Sequence, residues 1–168
     1  NLGARLVRLG LDASLRQEVV AVGGVPLPEV EGGRPPHLLL AIGGAGAQTE
    51  FVHTMLLRLK QMVLEHRLRL TLVAGLRPTV AEMFERDVHR VGLEDHEGVQ
   101  VLLEGDFETY WRKFNATLAG VDVIWTKPSE MVFYAGLGIP LVLAPPVGAH
   151  ERYNPIWVGE AEAAVSQG

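Results

Sequence analysis

The chain has 168 residues, of which 48% are hydrophobic and 21% charged, with a net charge of -5 and no cysteine. This size and composition suit one globular domain with a normal core, and the lack of cysteine excludes disulfides and thiolate chemistry. The negative charge and the lack of a basic cluster argue against a nucleic-acid partner. We expect a cytoplasmic protein without a transmembrane segment, because the sequence shows no signal peptide and its apolar runs are short.

The N-terminal part of the chain ends in a stretch rich in proline and glycine, GGVPLPEVEGGRPP, residues 23–36. Such a composition is typical of a linker between domains. The chain also begins at Asn1 rather than at a methionine. We therefore expect residues 1–36 to be an interdomain remnant and linker, and residues 37–168 to be one domain of a longer, two-domain protein.

Apolar strands alternate with helical patterns in the rest of the chain. The first strand, residues 37–42, is apolar almost throughout, which is typical of a parallel strand covered on both faces. A helix with one apolar side follows it over residues 49–66. The remaining elements are predicted to be, in order, a strand (68–74), a helix (78–91), a strand (99–103), a helix capped by Asp106, a strand (121–126), a helix (128–137) and a strand (141–144).

About five strands separated by helices predict a doubly wound, Rossmann-like α/β domain with a parallel sheet in the order 3-2-1-4-5 and helices on both faces. Strands 1 and 4 are then neighbours whose connections leave to opposite faces, so the binding crevice is expected between their carboxyl ends. The helix after Asp106 carries aromatic residues at helical spacing, which favours core packing over a stacking platform. These residues are Phe107, Tyr110, Trp111 and Phe114.

The first predicted strand ends in a glycine-rich turn, GGAGAQ, residues 43–48. Glycines let a backbone approach a ligand, and a helix that begins at Gln48 or Thr49 presents free amides to a phosphate. A tight strand-to-helix turn would also need glycines, but the position at the crevice favours the phosphate interpretation. The spacing matches neither a Walker loop nor the GxGxxG fingerprint, which argues against ATP hydrolysis and NAD.

The fourth predicted strand ends in TKPSE, residues 126–130. Pro128 suits the first turn of a helix, and the amides near Ser129 and Glu130 would favour an anion there. Lys127 adds a positive charge. Glu130 is equally explained as a ribose ligand or as a favourable partner of the helix dipole.

A third polar turn follows the fifth strand, where residues 148–154 are positioned to reach a sugar or a phosphate, although a solvated helix start would look similar. The other histidines lack metal-ligand spacing, so we predict no metal site and no cofactor. These histidines are His37, His53, His66, His89 and His96.

The segment VDVIWTKPSEMVFYAGLGIPLVLAPPVGAHERYN, residues 121–154, resembles the donor-binding half of GT-B glycosyltransferases, especially the group of MurG and the monogalactosyldiacylglycerol synthases. The resemblance extends over about residues 37–165 and implies a UDP-sugar as substrate. The residues it implicates, together with the turns above, are Gly44, Ala45, Gly46, Ala47, Gln48, Lys127, Ser129 and Glu130 for the phosphates, Leu103, Glu104 and Gly105 for the base, and Gly148, His150, Glu151 and Asn154 for the donor sugar.

The resemblance leaves three hypotheses. The first is the donor-binding half of a hexosyltransferase, whose acceptor site and catalytic base would come from its own N-terminal domain, so that the isolated piece is inactive and no catalytic residue is assigned. The second is a non-catalytic interaction or regulatory domain, because Phe133 stands where the family has its ribose-binding glutamate and the turn after Lys127 lacks paired glycines. The third is a UDP-sugar epimerase-like enzyme, with Glu151 as its candidate carboxylate. Peripheral membrane association of the full-length protein is compatible with the resemblance.

Overall fold

Strands and helices alternate along the residues that the computed structural model describes, which are 34–41, 49–127, 131–144 and 164–166. All these elements belong to the unit Pro35–Gly168. The strands are β1 (His37–Ala41), β2 (Arg69–Gly75), β3 (Val99–Leu103), β4 (Val123–Thr126), β5 (Leu141–Leu143) and β6 (Ala164–Ser166). The helices are α1 (Thr49–Leu64), α2 (Pro78–Arg90), α3 (Phe107–Gly120) and α4 (Met131–Gly136).

The strands form one parallel sheet in the order β3-β2-β1-β4-β5-β6. The predicted doubly wound α/β fold and the order 3-2-1-4-5 of its first five strands are confirmed. A sixth strand, which the sequence pattern does not predict, lies beyond β5, with Leu141 opposite Ala164. The predicted boundary between a remnant at residues 1–36 and the domain falls almost wholly outside the described residues and stays a prediction.

The central strand β1 is buried along its whole length. Its side chains alternate between two cores, because successive residues of a strand point to opposite faces of the sheet. Leu38 and Leu40 belong to a cluster with α1 and α2, whereas Leu39 and Ala41 belong to a cluster with α3 and α4. The apolar strand β1 is therefore covered by helices on both faces, as predicted.

The start of β4 lies two residues later than the sequence pattern predicts. The backbone amide of Val121 still donates to the carbonyl of Leu118 in α3, 3.4 Å away, so Val121 closes the helix. Asp122 then joins the amino end of β1, because its Oδ2 accepts a hydrogen bond of 2.8 Å from the backbone amide of His37.

The aromatic residues of α3 are divided between the core and the surface. Phe114 is buried, but Phe107 and Trp111 are 65% and 43% exposed, so their predicted core packing is wrong. Phe107 shares the helix face of the buried Phe114 and Leu118, but it is the first residue of α3, so its exposure follows from its place at the helix end, which helical spacing does not show. Trp111 contacts Phe133 of α4, with ring centroids 6.3 Å apart, and we call Phe107, Trp111 and Phe133 the aromatic patch.

None of the described helices has both the length and the apolar character that crossing a membrane requires.

We expect Phe84→Ala to lower the free energy of unfolding by about 3 to 5 kcal/mol, because the ring is fully buried between the sheet and the helices α1 and α2, and its loss leaves a cavity. Phe107→Ala removes the same ring from an exposed position and should cost about 0.5 kcal/mol or less. Urea unfolding followed by circular dichroism measures both changes. Equal losses would contradict the packing described above.

The N-cap of α3 should make the stability of the domain sensitive to acid. Asp106 Oδ1 accepts a hydrogen bond of 2.9 Å from the backbone amide of Thr109, and this bond lowers the pKa of Asp106 below its ordinary value of 3.8. A lowered folded-state pKa gives stability that is present above the ordinary value and is lost as the pH falls through the folded value. Asp106→Asn should keep the cap but lose this part of the acid sensitivity, and Asp106→Ala should lose both. Denaturant midpoints measured between pH 6 and pH 2.5 test this, and an Asn variant as acid-sensitive as the parent would refute it.

Candidate functional site

The predicted crevice is present at the carboxyl edge of the sheet, where β1 and β4 end side by side. Ala41 lies opposite Thr126, and the hydroxyl of Thr126 donates a buried hydrogen bond of 2.9 Å to the carbonyl oxygen of Ala41. The chain leaves β1 towards α1 on one face of the sheet, and it leaves β4 towards α4 on the other. Such a switch point is where open α/β sheets bind their ligands.

Most of the predicted contact residues lie outside the described part of the chain, so their roles stay predictions. They are Gly44, Ala45, Gly46, Ala47, Gln48, Ser129, Glu130, Gly148, His150, Glu151 and Asn154. The described residues of the predicted site are Lys127, Leu103, Glu104 and Gly105.

Lys127 directly follows β4 and is partly buried at the crevice. Within the described residues it makes no ion pair. A lysine in this position offers its charge to an anion that lies at the ends of β1 and β4.

The segment Leu103–Gly105 lies at the same edge but at the end of β3. The backbone amide of Glu104 donates to the carbonyl of Gly75 in β2, 3.0 Å away, which holds this segment against the neighbouring strand. Three strand spacings of about 4.8 Å separate β3 from β4, so the predicted base and phosphate contacts would be about 14 Å apart. One extended ligand along the edge is compatible with that distance.

Two of the carboxylates described at this edge are engaged, whereas Glu108, in the first turn of α3, is exposed and makes no ion pair with a described residue. Glu104 pairs with Lys113, with 2.5 Å between Oε1 and Nζ, and Asp106 caps α3. Arg77, in contrast, lies just past the end of β2, is exposed, and makes no side-chain cap and no ion pair with a described residue. Arg77 and Lys127 are therefore cations without an ion pair among the described residues, and they follow the two strands that flank β1, whereas Glu108 follows β3, one strand further out.

The sequence interpretation does not include Arg77 in the site, because a single arginine in a strand-to-helix turn matches no motif. The strand order puts β2 beside β1, so Arg77, which follows β2, lies next to the end of β1. A cavity of about 80 Å³ at the crevice is lined by Arg77 together with Ala41, Gly75, Tyr110 and Tyr134. That volume suits one small oxyanion and is well below the several hundred Å³ of a site for a whole nucleotide.

A larger cavity, of about 390 Å³, lies at the opposite, amino edge of the sheet. Its ionisable groups are partly committed to one another, since His66 Nδ1 lies 3.5 Å from Glu97 Oε1 and His96 Nδ1 accepts a hydrogen bond from the amide of Gly98. No group of three metal-binding side chains occurs in the described ranges. Arg69, which also lines this cavity, makes no ion pair with a described residue, so unpaired charge does not distinguish the two edges. We place the site at the carboxyl edge because open parallel sheets bind their ligands there.

Phe133, which stands in place of the ribose-binding glutamate in the resemblance, lies on α4 and is 46% exposed. Its ring contacts Trp111 and Tyr134, with centroids 6.3 and 5.3 Å away. The described contacts of Phe133 are thus to aromatic rings of α3 and α4.

Comparison with known proteins identifies the fold and the family. A structure from S. aureus, the MnaA-UDP co-structure, superposes with a TM-score of 0.54 at 12% sequence identity, over 97% of this chain and 38% of that one. At this identity the likeness shows the α/β fold alone, and this chain spans well under half of the length of its neighbour. No curated protein matches the sequence. A family model described as "Domain of unknown function (DUF6938)" matches residues 27–165, and the chain belongs to that family.

Proposed function

We propose that this chain is the nucleotide-sugar-binding part of a GT-B-type enzyme, which at full length transfers a hexose from a UDP-sugar to an acceptor. The observation that carries the proposal is the pair of cations that follow the strands on either side of β1, Arg77 and Lys127, neither of which makes an ion pair with a described residue. The fold shared with a protein solved in complex with UDP supports a nucleotide-sugar as the ligand.

The chemical role of this part would be to hold the donor and to stabilise its leaving group. When the glycosidic bond to UDP breaks, negative charge grows on the diphosphate, and cations placed beforehand at that position lower the barrier. Lys127 and the predicted amides near Ser129 would supply this stabilisation. A base from another part of the full-length protein would deprotonate the acceptor.

Two alternatives keep the same fold. A UDP-sugar epimerase-like enzyme would use the same donor site. The neighbour solved with UDP supports an epimerase and a transferase equally, because both would bind UDP. It would need carboxylates beside the donor sugar, for which Glu151 is the candidate. A non-catalytic domain would retain the fold without binding nucleotide, and the exposed Phe133 in place of the ribose-binding glutamate favours it.

Binding of UDP tests the proposal directly. We expect UDP and UDP-hexoses to raise the unfolding temperature of the chain and to give a binding isotherm by calorimetry, because a ligand present at a hundred times its Kd stabilises the folded state by about 2.7 kcal/mol. Uridine, which lacks the phosphates, should bind more weakly. The absence of UDP binding both in this chain and in the full-length protein would refute the proposal and favour the non-catalytic alternative.

Lys127→Ala should raise the Kd for UDP about tenfold and change the Kd for uridine much less, because the lost interaction is a charge-assisted contact to phosphate. Lys60→Ala is the matched control, since Lys60 lies on α1 beside Gly92 rather than at the carboxyl edge. Calorimetric titrations of the three proteins give the comparison. Equal losses for UDP and uridine would place Lys127 outside the phosphate site.

A further inference from the structure

We infer that Arg77 is a second phosphate-contacting residue, which acts with Lys127 to bind a nucleoside diphosphate from both sides of β1. This inference rests on the proposed function and extends it, because it names a residue that neither the sequence motifs nor the resemblance assigns. It also defines the ligand class as a nucleoside diphosphate rather than a nucleoside monophosphate.

The strand order places the two cations on opposite sides of the same strand end. Arg77 follows β2 and Lys127 follows β4, and both strands pair with β1. The ends of β2 and β4 are therefore about 10 Å apart, with the end of β1 between them. Arg77 lines the cavity beside the end of β1, and a second cation on the other side of that strand suits an anion with two charged groups.

The local structure around Arg77 gives it no structural task. It occupies the N-cap position of α2, where Ser, Thr, Asp or Asn would stabilise the helix, and its side chain makes no cap hydrogen bond. The first turn of α2 contains no acidic residue. A cation at the positive end of a helix dipole is unfavourable for the helix, so stability does not explain an arginine there.

The cavity beside Arg77 provides room for the anion. Arg77 lines the space of about 80 Å³ together with Ala41, the last residue of β1, and Gly75, the last residue of β2. Gly75 has a φ of 69°, a conformation that favours glycine, and it ends the strand in a turn that leads to Arg77. The cavity thus borders the last residues of β1 and β2 and can hold one phosphate group of a larger ligand.

No described acidic group pairs with Arg77. Glu104 and Asp106, which follow β3, the strand beside β2, are held by Lys113 and by the amide of Thr109, and Glu108 in the first turn of α3 is exposed and makes no ion pair with Arg77. A guanidinium that has no carboxylate partner and borders a small cavity suits a phosphate, because the planar guanidinium can donate two parallel hydrogen bonds to phosphate oxygens.

The test is a set of calorimetric titrations of the 168-residue chain and its Arg77→Met variant with UDP, UMP and uridine. We expect Arg77→Met to raise the Kd for UDP about tenfold, to raise that for UMP less, and to leave that for uridine unchanged. The variant should also show a weaker dependence of UDP affinity on salt, because one cation has been removed. Arg86→Met, an exposed arginine on the same helix, is the control and should behave as the parent.

The outcomes separate this inference from the proposed function. If the parent chain binds UDP and Arg77→Met binds it equally well, the inference fails and the proposed function stands. If Arg77→Met weakens uridine as much as UDP, or lowers the unfolding midpoint as well, Arg77 acts on the fold and the inference is also overturned. If neither this parent chain nor the full-length protein binds UDP, the proposed function itself fails.

Discussion

The arrangement of the domain depends on the burial of β1 on both of its faces. Five successive residues of this strand are buried, and they alternate between the core formed with α1 and α2 and the core formed with α3 and α4. A strand that is apolar on both sides is stable only in the middle of a sheet that has helices on both faces. Partners on both edges, β2 and β4, follow from that position. The carboxyl end of β1 thereby becomes the switch point at which chain segments from three strands meet.

The charged groups of the carboxyl edge divide into those that stabilise the protein and those that have no partner among the described residues. Glu104 pairs with Lys113 and Asp106 caps α3, whereas Arg77, Lys127 and the exposed Glu108 make no ion pair there. An exposed cation without a partner is hydrated by water, and another polar residue at the same position would be hydrated equally well. Its value lies in attracting a ligand of opposite charge, because the net charge of -5 repels an anion and local cations offset that repulsion.

Much of this architecture can be predicted from local pattern, and the failures have physical causes. The apolar run that begins at His37 predicts a central strand, and Asp106 predicts a helix start, because each depends on a few adjacent residues. The exposure of Phe107 and Trp111 could not be predicted, since helical spacing gives the face of a residue but not how far along the axis of α3 the neighbouring elements cover that face. The strand β6 has three residues, too few to show alternation. Arg77 is recognisable only after β2 is known to lie beside β1, and the predicted turns 43–48, 128–130 and 148–154 lie outside the described residues.

The order of strands also has a consequence for how the chain folds. The contact between His37 and Thr71 joins β1 to β2 across 34 residues, whereas the bond from Thr126 to Ala41 joins β4 to β1 across 85. Closing the longer loop costs about 0.8 kcal/mol more in chain entropy, and non-local pairings form later than local ones. We therefore expect the β1–β2–β3 half to assemble first and the crevice to be completed last. A nucleotide bound across β2, β1 and β4 would join an early-folding half to a late-folding half, so it would slow the unfolding of the domain.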